Sequence, residues 1–149
     1  MKESADIKQF KNELRNYKYY LAQIDKWDER IDDLYNSLPG SVHSINPAVP
    51  LQTGGVPNKD FEYRVRDIIS VYEAFRKPWE DKRDYVNKVL SFIETPLCDD
   101  IRAVYVEGRS LVEVAHPRYI IASSLRGRIN RAIAKAILEM EAHEMCVHL

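Results

Sequence analysis

The sequence predicts an all-α fold: long coiled-coil-type helices followed by a C-terminal three-helix, helix-turn-helix module. Three observations predict it. Apolar residues recur at alternating steps of three and four along two long stretches, a third stretch breaks into three short amphipathic segments, and glycine is scarce, with five in 149 residues. Charged residues make up 30% and hydrophobic ones 45%, a balance that favours a helical globular protein over a disordered or all-β one.

The first stretch carries Ile7, Phe10, Leu14, Tyr17, Leu21, Ile24, Ile31, Tyr35 and Leu38. This heptad spacing predicts one helix over about 6–38, roughly 50 Å long at 1.5 Å per residue. Such a helix cannot cover its own seam, so Ile7, Phe10, Leu14, Tyr17, Leu21, Ile24 and Ile31 are expected to pack on a second helix of this chain or of a partner, and are the candidate oligomerisation residues of a domain over 1–38. Asp28, beside Trp27, is the charged intruder on that seam, and the other positions are expected to form a wet outer face.

Residues 39–59 hold four of the seven prolines and three of the five glycines, which cannot continue a helix and predict an exposed linker containing a solvated His43. A second heptad stretch follows over 60–94: Phe61, Val65, Ile68, Tyr72, Phe75, Trp79, Val86, Val89, Leu90 and Ile93. Pro78 lacks an N–H and clashes with the preceding turn, so this helix is expected to kink or break there.

The module over 95–149 is built from local signals. Thr95 and Pro96 form a cap and a first-turn proline, with Asp99 and Asp100 at the positive dipole end and Leu97, Ile101, Val104 and Tyr105 on one face. Gly108 closes that helix. Ser110 with Glu113 makes a capping-box pattern for a helix bearing Leu111, Val114 and Ala115, stopped by His116-Pro117. Past Tyr119, Ile120 and Ile121, either Ser123 or Ser124 is the expected cap of a third helix lined by Leu125, Ile129, Ala132, Ile133, Ala136 and Ile137. Beyond Leu138 the acidic tail is expected to prolong this helix and fray.

Charge supplies the functional expectation. The chain has a net charge of −1, yet Leu97–Leu138 holds seven Lys and Arg against four acids, a net +3. A cationic helix with serines and a glycine near its start can approach a phosphate backbone and offer Arg and Asn to base edges in the major groove. The candidate DNA-binding residues are therefore Arg118, Ser123, Ser124, Arg126, Arg128, Asn130, Arg131 and Lys135, and the expected partner is double-stranded DNA. An ordinary solvated helix face is the alternative reading. One small module of modest charge binds weakly, so a homo-oligomer, most economically a dimer, is expected.

No catalytic pattern stands out. Carboxylates lie in solvated helical settings with basic neighbours, and there is no GxxxxGK[ST], HExxH or paired CxxC. His143, Cys146 and His148 lack a fourth donor at a recognised spacing, so no metal is expected. Cys98 and Cys146 read as reduced thiols, and Cys98 as a packed first-turn residue. With no signal peptide and no apolar run near eighteen residues, the expectation is a cytoplasmic protein that uses no cofactor and has no membrane partner.

From Arg102 through YVEGRSLVEVA to SSLRGRINRAIAKAI the chain resembles the fourth-region helix-turn-helix of bacterial sigma factors. Tyr105, Glu107-Gly108, Ser110-Leu111, Glu113, Val114 and Ala115 fall on that motif's aromatic, turn, cap and inner face, and Ile120 and Leu125 keep the spacing to the recognition helix. It departs at Pro117, which shortens the middle helix, and at Tyr119, which stands where the motif has a turn glycine. With NYKYYLAQID in its first helix, a Gly/Pro linker and a second long helix, the whole chain resembles small phage regulators of late transcription, the ArpU/RinA-like group and the lactococcal late activators. That resemblance implies DNA binding upstream of a late operon, in the host cytoplasm, and recruitment of host RNA polymerase. An assembly or DNA-packaging factor, such as a small-terminase-like ring subunit, and a helical protein-interaction adaptor are the alternatives.

Overall fold

The computed structural model describes residues 3–38 and 59–147, so the linker with His43, and His148 in the tail, lie outside the described residues. The described residues are mostly helical and contain no strand. Six α-helices follow in order: α1 (Ala5–Arg15), α2 (Tyr17–Asn36), α3 (Lys59–Ser91), α4 (Leu97–Ile101), α5 (Leu111–Ala115) and α6 (Ala122–Val147). A π-helical stretch, Arg102–Val106, extends α4, and a 3₁₀ turn, His116–Arg118, follows α5.

The chain divides into two compact units, Met1–Tyr20 with Asp81–Leu149, and Leu21–Glu80. This differs from the expected partition, which set the first 38 residues apart from the C-terminal module. Burial explains the difference. In the first unit Ile7, Phe10 and Leu14 of α1 share one core with Val86, Val89 and Leu90 of α3, Ile101 and Tyr105, Val114 and Ala115, and Leu125, Ile129, Ile133, Ala136, Ile137 and Met140 of α6. The start of the heptad seam is therefore covered by this chain's own helices. Ile7, Phe10 and Leu14, read as oligomerisation residues, are thus core residues here, while Tyr17 and Leu21 are half-buried and Ile24 and Ile31 buried.

The second unit pairs part of α2 with part of α3 around Ile31, Leu38, Val65 and Ile69, with Leu34 and Tyr72 against them. Asp28, the intruder on the seam, accepts a hydrogen bond from Arg76 Nη1 at 2.5 Å, and Arg76 also meets Glu80 at 2.8 Å. Trp27 packs on Tyr72 and Phe75, both at 5.3 Å between ring centroids. Tyr35, Phe61, Ile68 and Phe75 are exposed, although the heptad reading put them on the seam, and Ile69 is buried in their place. A two-helix pair covers only a narrow line on each helix, so the flanks of a wide apolar stripe stay in water.

Local chemistry accounts for the boundaries. Ser4, which the sequence reading passed over, caps α1 by accepting from the Ile7 N–H at 3.3 Å. The expected single helix over 6–38 breaks at Asn16, whose side-chain amide donates to the Asn12 carbonyl at 3.0 Å and competes with the backbone ladder. By contrast, α3 runs unbroken through Pro78. That proline is exposed, so water can take the carbonyl its missing N–H leaves free. At α4 the cap position is held by Pro96 rather than Thr95, with no side-chain cap bond, and the Pro96 carbonyl accepts from the Asp100 N–H at 3.1 Å.

Gly108 closes the π-helical stretch at φ +75°, a left-handed conformation, and a Cβ there would meet nothing within 4 Å. Gly108→Ala should therefore cost only backbone strain, about 1–2 kcal/mol, read from the shift in urea midpoint. Gly108→Asn should cost clearly less, since asparagine tolerates this region.

Candidate nucleic-acid interface

The segment from Gly108 to α6 is set by two turns. Ser110 caps α5, its Oγ accepting from the Glu113 N–H at 3.1 Å as the capping-box pattern predicts. The Glu113 carboxylate instead lies 3.6 Å from Arg109. After the 3₁₀ turn made by Pro117, Tyr119 takes a left-handed backbone at φ 57°, and its N–H donates to the His116 carbonyl at 3.1 Å. Its ring is fully out in solvent. The position that the sigma-factor pattern fills with glycine thus keeps a glycine-like conformation with a tyrosine on it, and Ile121 and Val112 are exposed nearby in the chain.

Neither Ser123 nor Ser124 is the cap of α6. The helix starts at Ala122, with the Leu125 N–H donating to the Ile121 carbonyl at 3.1 Å, which leaves both serines exposed in the first turn. Leu125, Ile129, Ile133, Ala136 and Ile137 are buried as expected, and Met140 extends the stripe.

Helical spacing then sorts the polar residues into two groups. Ser124, Arg128, Arg131 and Lys135 follow one another by four, three and four, forming a continuous exposed stripe opposite the core. Arg131 lies back along this stripe, its Nη1 3.2 Å from where a side chain on Gly127 would begin. Lys135 meets Glu139 at 3.6 Å in a solvent-exposed pair of little energetic weight. Arg128 and Arg131 have no carboxylate partner among the described residues.

Arg126 and Asn130 belong elsewhere, about a quarter-turn or more away and beside α1. Arg126 lines a cavity with Glu3, Lys11 and Arg15. Asn130 is half-buried and keeps a buried Oδ1 without a hydrogen-bond partner, which does not suit the base-reading role expected of it. Arg118 is also partly withdrawn, since its Nη2 donates at 3.0 Å to the mostly buried Asp100 and ties the 3₁₀ turn to α4. Of the eight candidates, the structure brings Ser124, Arg128, Arg131 and Lys135 onto one face, while Ser123, three residues before Arg126 and seven before Asn130, is exposed on the other side of the helix.

Lys11 is the residue that sequence reading missed. Placed on the expected wet face of the first helix, its side chain is only 4% exposed and is bound to Glu3. Its ammonium stands 5.2 Å from the centroid of the Tyr105 ring and the Arg15 guanidinium 5.5 Å. The hydrogen bond from Lys11 holds the Glu3 carboxyl below its usual 4.5, against the opposing effect of partial burial.

A carboxylate with a depressed folded-state pKa stabilises the fold above its unfolded value and loses that contribution as pH falls through the lowered one. Wild type should therefore be more stable than Glu3→Gln above about pH 5, and chemical denaturation in a pH series should show the gap closing below 4.5. A gap independent of pH would mean that the carboxylate's charge is not what matters.

Comparison with family models, curated proteins and solved structures returns no match. Among the described residues no three His, Cys, Asp or Glu side chains come together as a metal site, and no helix is long and apolar enough to cross a membrane. Cys98 is half-buried with its Sγ 3.7 Å from the Leu90 carbonyl, and Cys146 is exposed.

Proposed function

We propose that this chain is a sequence-specific DNA-binding transcription regulator. In this reading α4 with its π-helical extension, α5 and α6 form the helix-turn-helix, and α6 enters the major groove. The observation that carries it is the exposed stripe Ser124, Arg128, Arg131 and Lys135, in which two guanidinium groups have no carboxylate partner among the described residues.

The charge order along α6 supports the same reading. Its first fourteen residues carry Arg126, Arg128, Arg131 and Lys135, and its last turns carry Glu139, Glu141 and Glu144, with no acid in the first turn and no base in the last. That is the reverse of what the helix dipole favours. A helix selected for stability alone would place these charges the other way round, whereas one that meets a polyanion needs cations on its entering half. Exposed Tyr119, Ile121 and Val112 add apolar groups of the kind that touch thymine methyls.

The resemblance to phage regulators of late transcription extends the proposal to an activator of late genes, bound upstream of the operon in the host cytoplasm as a dimer or higher oligomer, with host RNA polymerase as protein partner. Two modules on two half-sites supply the affinity that one module lacks.

The test is capture of genomic fragments from the source by the purified chain at about 150 mM salt, a concentration that weakens non-specific phosphate binding, followed by sequencing against the input. Enrichment of one short interval with repeated half-sites supports the regulator. Uniform recovery or none overturns it and moves attention to the assembly and packaging reading, for which a ring of subunits is the expected hydrodynamic signature.

A further inference from the structure

Three cations from opposite ends of the sequence meet around one cavity. Lys11 and Arg15 come from α1 and Arg126 from the start of α6, and the space between them is about 320 Å³, beside Tyr105. At about 30 Å³ per water this is room for roughly ten waters. Glu3 is the carboxylate among its lining residues, so the formal charges there, three positive and one negative, leave an excess of two. Among the described residues neither Arg15 nor Arg126 has a carboxylate partner.

Gathering like charges around a concave space costs stability, because the low-dielectric walls strengthen their repulsion. Exposed cations on a helix normally spread apart. Here the buried Lys11 and the exposed Arg15 crowd over one aromatic ring while Arg126 faces them from another element. The Glu3 carboxylate, bound to Lys11, shows that this wall accepts an oxyanion. The two guanidinium groups match a tetrahedral oxyanion with paired N–H donors.

We propose that this cavity binds a phosphate group, with Arg15 and Arg126 donating to its oxygens and Lys11 adding charge beside Glu3. The phosphate has two sources. As a backbone phosphodiester of a duplex it rests on the DNA-binding reading and gives α1 a role in positioning α6. As part of a free phosphorylated small molecule it stands independently and makes the cavity an effector site.

The experiment is calorimetric titration of the full chain with pyrophosphate, and separately with a duplex, at fixed ionic strength. Arg15→Gln, Arg126→Gln and Glu3→Gln are compared with Arg64→Gln as an exposed cation outside the cavity. Arg15 and Arg126 are exposed, so their variants should keep wild-type helicity and melting. Pyrophosphate affinity should fall at least about tenfold in each of these two, rise in Glu3→Gln and stay unchanged in Arg64→Gln. A duplex affinity that Arg15→Gln lowers, with about one fewer counterion released, assigns the phosphate to the nucleic-acid backbone. Pyrophosphate binding with an unaltered duplex affinity assigns it to a small molecule. If wild type takes pyrophosphate as described but no duplex, the DNA-binding reading fails and the cavity stands. Equal loss of pyrophosphate affinity in all three arginine variants, or no effect of Arg15→Gln on either ligand, overturns the proposal.

Discussion

Truncating Ile133 to alanine should destabilise the first unit by about 2–5 kcal/mol. Ile133 is fully buried near the middle of α6, in the core that α1, the end of α3, the π-helical stretch and α5 share. Removing its outer carbons takes away transfer free energy and leaves a cavity that five elements would have to collapse together to fill. With domains typically stable by 5–15 kcal/mol, a loss of that size brings the unit near its melting point at physiological temperature. Leu138→Ala, on the same helix but 67% exposed, should stay within about 0.5 kcal/mol. Urea denaturation followed by far-ultraviolet circular dichroism measures both. Equal effects at the two positions would mean that α6 does not pack as described. Loss of DNA binding in Ile133→Ala would report on folding and say nothing about contacts.

The all-α class is legible because the apolar period of 3.6 is repeated over most of the chain, and period depends on side chains alone. The Gly108 turn and the Ser110 cap are legible for a related reason: a left-handed residue and an orphan N–H have strong local residue preferences. The α6 core stripe follows from the same logic, and Leu125, Ile129, Ile133, Ala136 and Ile137 are all buried where spacing puts them.

What is not legible depends on partners distant in sequence. Heptad spacing in α1 announces an apolar seam but not what covers it, and Ile7, Phe10 and Leu14 turn out to pack under α6. Lys11 reads as solvated because lysine usually is, and its burial requires Glu3 and the Tyr105 ring together. The split of the arginines into an outward stripe and a cavity wall needs the true start of α6 and the place of α1. Asn130 follows from the same cause: once α1 is beside α6, its amide oxygen is buried rather than in open water. Tyr119 is a different kind of miss, since a tyrosine with left-handed backbone runs against local preference, and the turn it sits in closes through the Tyr119 N–H on the His116 carbonyl and the Ile120 N–H on the Ala115 carbonyl.

Replacing Arg128 and Arg131 together by alanine should abolish most duplex binding while leaving the fold intact. Both side chains are exposed, and neither has a carboxylate partner among the described residues, so their removal opens no cavity and strands no buried charge. An arginine that reads a base edge contributes about 1–3 kcal/mol, and one that meets a phosphate adds about one released counterion to the salt dependence. The pair should then lose at least about thirtyfold in affinity and flatten the dependence on salt. Lys59→Ala, removing an exposed cation at the start of α3, should leave both unchanged.

The most direct measurement is therefore the affinity of wild type and Arg128→Ala/Arg131→Ala for a duplex recovered by genomic capture, at several salt concentrations, with circular dichroism confirming equal helicity. A large loss of affinity together with a shallower salt slope is the predicted result. Equal affinity and equal slope in the two proteins would contradict the assignment of α6 as the helix that meets DNA.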